Sequence, residues 1–208
     1  MMKKICITGG IACGKSSVGG YLREFGLKVI DADEVCHDLM GRRGPLVDRI
    51  ADVFGKGVLN RDGSANRRKL GRIVFADGVK RRKLNALVHP AARREISLWL
   101  EKRKAVPGMN IVAALIPLVY EACWELDWDV VICVAAPLSV QTARLVRKGF
   151  SEKEAAARVA AQMPLAEKMS RADYVIFNAG PFAGLRQQTA LVLRSIQEKM
   201  EKPHGRKK

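Results

Sequence analysis

"TGGIACGKSS" (Thr8–Ser17) is the stretch that decides how this chain is read. The apolar run Lys4–Thr8 precedes it, with the signature of a buried strand. "SSVGGYLREFG" (Ser16–Gly26) follows with helical spacing and a glycine stop. Gly9, Gly14, Lys15 and Ser16 fit G-x-x-x-x-G-K-[ST] between that strand and that helix. Each residue type has a reason. Glycines let the backbone curl so that successive N–H groups face one anion. Lys15 adds a flexible point charge for phosphate, Ser16 a hydroxyl for Mg²⁺, and the helix that begins there its positive dipole end.

Further along, continuous apolar runs alternate with helical patterns. Leu27–Asp33, Asn110–Leu118, Asp129–Ala136 and Asp173–Phe177 read as four more strands, and lack the polar alternation of a sheet with one wet face. Five such strands joined by helices predict a doubly wound parallel sheet of the α/β class. Between Asp33 and about Arg103 the pattern turns wholly helical. Helices are expected near Glu34–Met40, Pro45–Phe54, Arg67–Phe75 and Pro90–Arg103, with a turn cluster at Asn60–Asn66. A second charged helical stretch covers Ser151–Arg171, opened by a capping box of Ser151 and Glu154.

The bulk properties bound the function. With 208 residues, 48 % of them hydrophobic, the chain has room for one α/β domain plus an insertion. Its longest apolar stretch, Ile111–Tyr120, is about half a membrane span, and its opening residues lack a signal-length apolar core. Cys6, Cys13, Cys36, Cys123 and Cys133 form no C-x-x-C pair, so neither a zinc site nor a disulfide framework is expected. A soluble cytoplasmic protein, with no membrane partner, is the expectation. The net charge of +16 draws anions, either polyphosphate substrates or nucleic acid. The basic runs Arg67–Arg72 and Lys80–Lys83 have no interleaved aromatic side chains to stack bases, which argues against nucleic acid. Part of the charge lies in the tail Glu201–Lys208, which reads as frayed.

Phosphate binding alone leaves the class open. A GTPase would carry N-K-x-D, and none is present. An ATPase would usually carry an aspartate at a later strand end; Ile111–Pro117 ends in Leu115, Ile116 and Pro117 instead. Small-molecule phosphotransferases, which close helical parts over two substrates, remain. In that class the acids of "VIDAD" matter: Asp31 and Asp33 leave the second strand, and a carboxylate beside an acceptor hydroxyl can take its proton. Asp33 also reads as the N-cap of the helix that follows.

At this point the chain resembles the dephospho-CoA kinase family over about residues 3–195. "TGGIACGKS" (Thr8–Ser16), "DAD" (Asp31–Asp33), "HP" (His89–Pro90), "PLVYE" (Pro117–Glu121), "QTAR" (Gln141–Arg144) and "ADYVIFNAG" (Ala172–Gly180) follow the family's motifs in order. The resemblance implies ATP-dependent phosphorylation of the ribose 3′-hydroxyl of dephospho-CoA, the last step of coenzyme A synthesis, with ATP and Mg²⁺ as cofactors. It implies a three-layer α/β/α P-loop fold with a five-stranded parallel sheet. Residues 1–32, 105–140 and 170–208 would form the nucleotide-binding core, 33–104 a helical acceptor domain and 141–169 a lid.

On that resemblance Asp33, Lys15 and Arg147 are the expected catalytic residues. ATP is expected to meet Gly9, Gly10, Ile11, Ala12, Cys13, Gly14, Lys15, Ser16, Ser17, Arg144, Asn178 and Gly180, with Ser16 on the metal. Thr8, Asp31, Asp33, Arg67, His89, Pro117 and Glu121 are expected on the acceptor side. His89 also fits a core histidine, Glu121 a structural pair, and Asn178 with Gly180 a plain turn. The partners implied are small molecules, and the chain a monomer or weak homo-oligomer. A kinase of another small acceptor, such as a nucleoside monophosphate or shikimate, is the alternative, and a nucleic-acid-binding P-loop module the more distant one.

The chain departs from the family at several points. Ala12 and Cys13 stand where the family has Gly and Ser or Ala; Ala12 suits the loop only if its φ is negative. Leu115 replaces an aspartate the family often carries. The family's second lid arginine falls on Lys148, or on Arg147 with a one-residue gap; Arg147 is expected, since a guanidinium binds phosphate oxygens as a fork. Cys13, near a helix start and Lys15, is expected either to have a lowered pKa and be modifiable, or to be an inert stand-in for serine.

Overall fold

The structure, a computed structural model, describes residues 2–180 and 182–201. Beyond Glu201 the tail read as frayed lies outside the described residues. Five strands appear: β1 (Lys3–Gly9), β2 (Lys28–Asp31), β3 (Ile111–Leu115), β4 (Val130–Ala135) and β5 (Tyr174–Phe177). They form one sheet in the order β2-β3-β1-β4-β5, and β1 runs parallel to both β3 and β4, as β4 does to β5. β1 extends one residue beyond its apolar run at each end, whereas β2 to β5 came out shorter than theirs, because residues such as Ile116–Leu118 continue into the loops that leave the sheet.

The described residues fall into two compact units: those up to Val29 together with those from Asn110, and Ile30–Met109. In the first, α1 (Lys15–Glu24) and α9 (Phe182–Glu201) cover one sheet face. The period of two puts Ile5 and Ile7 there, with Val18, Leu22, Leu115, Ile132, Val134, Ile176, Leu185 and Leu193. Cys6 and Thr8 alternate with them along β1, and α8 (Leu165–Arg171) packs on β1 and β4. α6 (Leu138–Arg147) and α7 (Glu152–Ala160) complete this unit. Ser151 and Glu154 form the capping box that opens α7.

The second unit is helical: α2 (Ala32–Met40), α3 (Pro45–Phe54), α4 (Arg67–Ala76) and α5 (Gly78–Lys104). It has its own core of Val47, Ile50, Val58, Ala65, Leu70 and Val88. Two starts differ from the sequence reading. α2 begins at Ala32, so the N-cap is Asp31, whose carboxylate accepts from Asp33 N at 2.9 Å, rather than Asp33. α5 begins at Gly78 and holds Pro90 inside it. Asp77 caps it, accepting from Val79 N and Lys80 N. The cap therefore opens the helix well before Pro90, which then leaves one backbone donor missing inside it. No helix among the described residues is long and apolar enough to cross a membrane.

Candidate active site

The phosphate loop turns from β1 into α1, and its glycines are there for space. Gly9 has φ 137°, and a Cβ on it would lie 2.0 Å from the Val134 carbonyl oxygen. Gly14 has φ 103°, and a Cβ there would lie 2.3 Å from Asn178 Nδ2. Only glycine meets both demands. Ala12 is the departure: its φ is +57°, so the condition of a negative φ fails, and the loop holds alanine in the left-handed region.

The loop is braced by three side chains from later in the chain. Asn178, buried at the end of β5, donates from Nδ2 to Cys13 O at 2.8 Å. Arg144 on α6 donates to Ala12 O at 3.0 Å and to Asn178 O at 3.5 Å. Gln162, between α7 and α8, accepts from Ile11 N at 2.9 Å. Gln141, buried on α6, donates to Ala136 O and stands where a Cβ on Gly10 would come within 3.0 Å of its Oε1. Lys15 Nζ donates to Gly9 O (3.1 Å) and Gly10 O (2.8 Å), which folds the ammonium over the loop. Ser16 follows it with an exposed side chain, and Ser17 N bonds Gly14 O at 3.1 Å.

This geometry suits an anion held by backbone amides, a lysine and a helix N-terminus together. It suits Mg²⁺ less independently: β3 ends in Leu115, and no cluster of three His, Cys, Asp or Glu among the described residues could hold a metal. Ser16 is the protein ligand on offer, and the remaining ligands would be phosphate oxygens and water, which Mg²⁺ tolerates.

Of the two alternatives for Cys13, the structure speaks against the lowered pKa and for the inert stand-in for serine. Its side chain is completely buried and packs in the main core. Burial pushes its thiol pKa up, and the opposing pull of Lys15 and Arg144 is smaller. Cys6, also buried, is raised well above its ordinary value for the same reason.

Beside the loop, Thr8 Oγ1 donates to Pro117 O at 3.2 Å. Pro117 and Glu121 come together on a residue that sequence reading missed, Lys168 of α8. Its Nζ lies 2.7 Å from Glu121 Oε1 and donates to Pro117 O at 2.9 Å. Elsewhere, Arg147 is exposed and bonds its own helix at Ala143 O, while Lys148 caps the end of α6. Gly180 lies exposed in open space beyond β5.

The second unit gathers the other expected residues. Asp31, Asp33 and Arg67 all act on Cys36, whose pKa rises to about 11 chiefly through burial, the two carboxylates adding to it and Arg67 opposing. Asp33 is exposed in the first turn of α2, and Arg67, at the first turn of α4, contacts His37 Nδ1. His89 is half-buried within α5, and burial lowers its pKa.

Three comparisons agree in direction. The family model for dephospho-CoA kinase matches residues 3–183. The chain is 45 % identical over 195 residues to the dephospho-CoA kinase of Symbiobacterium thermophilum, covering 93 % of this chain and 81 % of that one. Its structure is similar to that of the dephospho-CoA kinase from Campylobacter jejuni, with a TM-score of 0.69 and 28 % identity over 96 % of this chain and all of the other. Shikimate kinase from Acinetobacter baumannii shares the fold, with a TM-score of 0.57 and 16 % identity over 97 % of each chain.

Proposed function

The chain belongs to the dephospho-CoA kinase family, and on that premise we propose that it moves the γ-phosphoryl group of ATP to the ribose 3′-hydroxyl of dephospho-CoA, giving CoA and ADP in the last step of coenzyme A synthesis. The observation that carries the kinase reading is the loop itself: glycines at φ 137° and 103° with no room for a side chain, and Lys15 at the start of α1.

Phosphoryl transfer asks a protein mainly to position groups and offset charge. In this proposal Gly9–Ser17 hold the ATP phosphates by their amides, and Lys15 neutralises the charge that develops on the transferring group. Arg147 adds a guanidinium to the same group, with Lys148 as the alternative, and Arg144 keeps the loop in shape beneath the nucleotide. Asn178 and Gly180 face the nucleotide's base side. Ser16 would hold Mg²⁺, which when bound offsets charge on the β- and γ-phosphates. Asp33 takes the acceptor's hydroxyl proton, Asp31, Arg67, His89, Pro117 and Glu121 hold the acceptor, and buried Thr8 supports Pro117 through its hydroxyl. Action in the cytoplasm as a monomer or weak homo-oligomer, without nucleic acid, completes the proposal.

The test is ADP release measured over a panel of acceptors: dephospho-CoA, nucleoside monophosphates and shikimate. Dephospho-CoA should give the signal, and its silence would sink the acceptor assignment. Asp33→Asn should lower turnover by roughly 10²–10⁴-fold with ATP binding kept. Turnover near wild type would remove Asp33 from the role of base.

A further inference from the structure

Lys168 has no solvent exposure at all. A lysine is almost never buried so completely unless its charge is matched. Here it is matched by Glu121 at 2.7 Å and the Pro117 carbonyl at 2.9 Å. Such a pair is a weak sign of a stabilising role, since well-packed apolar residues of similar volume often serve a fold as well as a buried ion pair.

What Lys168 holds is more telling. The same Glu121 oxygen that meets Lys168 accepts from Met163 N at 3.0 Å. Pro117 O also takes the Thr8 hydroxyl, and Gln162, next to Met163, takes Ile11 N. The Pro117–Glu121 segment is thereby tied to the first part of the phosphate loop at two points, to Thr8 directly and to Ile11 through the α7–α8 junction. Both bonds to Glu121 fall on Oε1; Oε2 takes neither. The Glu121 side chain keeps 23 % exposure, so a ligand can reach it, whereas none can reach Lys168.

We propose that Lys168 is a positioning residue for the acceptor: it pins Oε1 of Glu121 so that Oε2 accepts a hydrogen bond from a hydroxyl or amine of dephospho-CoA, in fixed relation to the ATP loop. This rests on the reading of the chain as a dephospho-CoA kinase with Glu121 on the acceptor side.

The experiment is a double-mutant cycle of Lys168→Met and Glu121→Gln. kcat/KM is measured for each substrate, with the dissociation constant of ATP from the free enzyme. Each single variant should lower kcat/KM for dephospho-CoA by on the order of 100-fold, the cost of a misplaced positioning group, while ATP dissociation stays as in wild type. The double variant should lose no more than the worse single one, because both changes disable the same contact. Losses that multiply, or ATP binding that weakens as much as acceptor use, would overturn the role. If Lys168→Met lacks a wild-type-like melting transition, Lys168→Gln takes its place under the same criteria. Absent wild-type turnover of dephospho-CoA overturns the kinase reading and this role with it. Wild-type turnover alongside an undiminished Lys168 variant overturns this role alone.

Discussion

Replacing Ala12 by glycine should stabilise the protein. Ala12 sits in the phosphate loop at φ +57°. An L-residue with a Cβ in that region carries about 1–2 kcal/mol of steric cost. Glycine escapes the cost but returns about 0.5–1 kcal/mol through the greater freedom of its unfolded chain. Taken from the middle of each range, the balance favours Ala12→Gly by about 0.5–1 kcal/mol. For a chain of 208 residues, at about 2–4 °C per kcal/mol, the melting temperature should rise by about 1–4 °C. No hydrogen bond is lost, because Arg144 binds the backbone oxygen of residue 12, which glycine keeps. Scanning calorimetry of wild type and variant without nucleotide measures the shift. Ala12→Val supplies the opposite arm: a β-branched residue is a worse occupant of left-handed backbone, and the transition should fall. A glycine variant that melts at or below wild type would refute the reasoning, since the loop would then impose no strain on the alanine.

The other expectations concern thiols and a histidine. Iodoacetamide at about pH 8 should alkylate exposed Cys123 before buried Cys13, read by peptide mass spectrometry; Cys13 labelled first would contradict its burial. Inactivation by the reagent should proceed equally in wild type and Cys13→Ser. His89 is held below its ordinary value of 6.5 by burial, so the unfolded chain keeps a proton that the folded chain releases. Its contribution to stability is therefore complete above about pH 6.5 and is lost as the pH falls toward the folded value. Melting temperatures across about pH 5–8 should slope less in His89→Gln than in wild type; equal slopes would assign the effect elsewhere.

The loop was legible in the sequence because its constraint is local. Gly9 and Gly14 are demanded by backbone angle and by neighbours, and the strand and helix around them carry their own periodicity. The start of α5 was legible too, in hindsight, as Asp77 is an ordinary cap residue ahead of Val79 and Lys80; Pro90 drew the reading instead, being the usual mark of a helix start. That the sequence could not decide between the two alternatives for Cys13 has a different origin. Sequence shows that Lys15 is near, which lowers a thiol's pKa, but burial outweighs it and depends on how the whole core closes. Lys168 was invisible for the same reason. In "PLAEKMS" it reads as one more exposed charge, and only the packing of α8 on β1 and β4 takes it out of water. Nor could composition give the sign of φ at Ala12, where alanine's own preference is negative.

The bond from Asn178 to the Cys13 carbonyl joins positions 165 residues apart. During synthesis Arg144 and Asn178, which hold Ala12 O and Cys13 O, follow the loop only after 132 and 165 further residues. Contacts of such long range close late, after the chain between them has been made. The loop is therefore braced only once residue 178 has been made, and a product cut short before it has the motif without its brace.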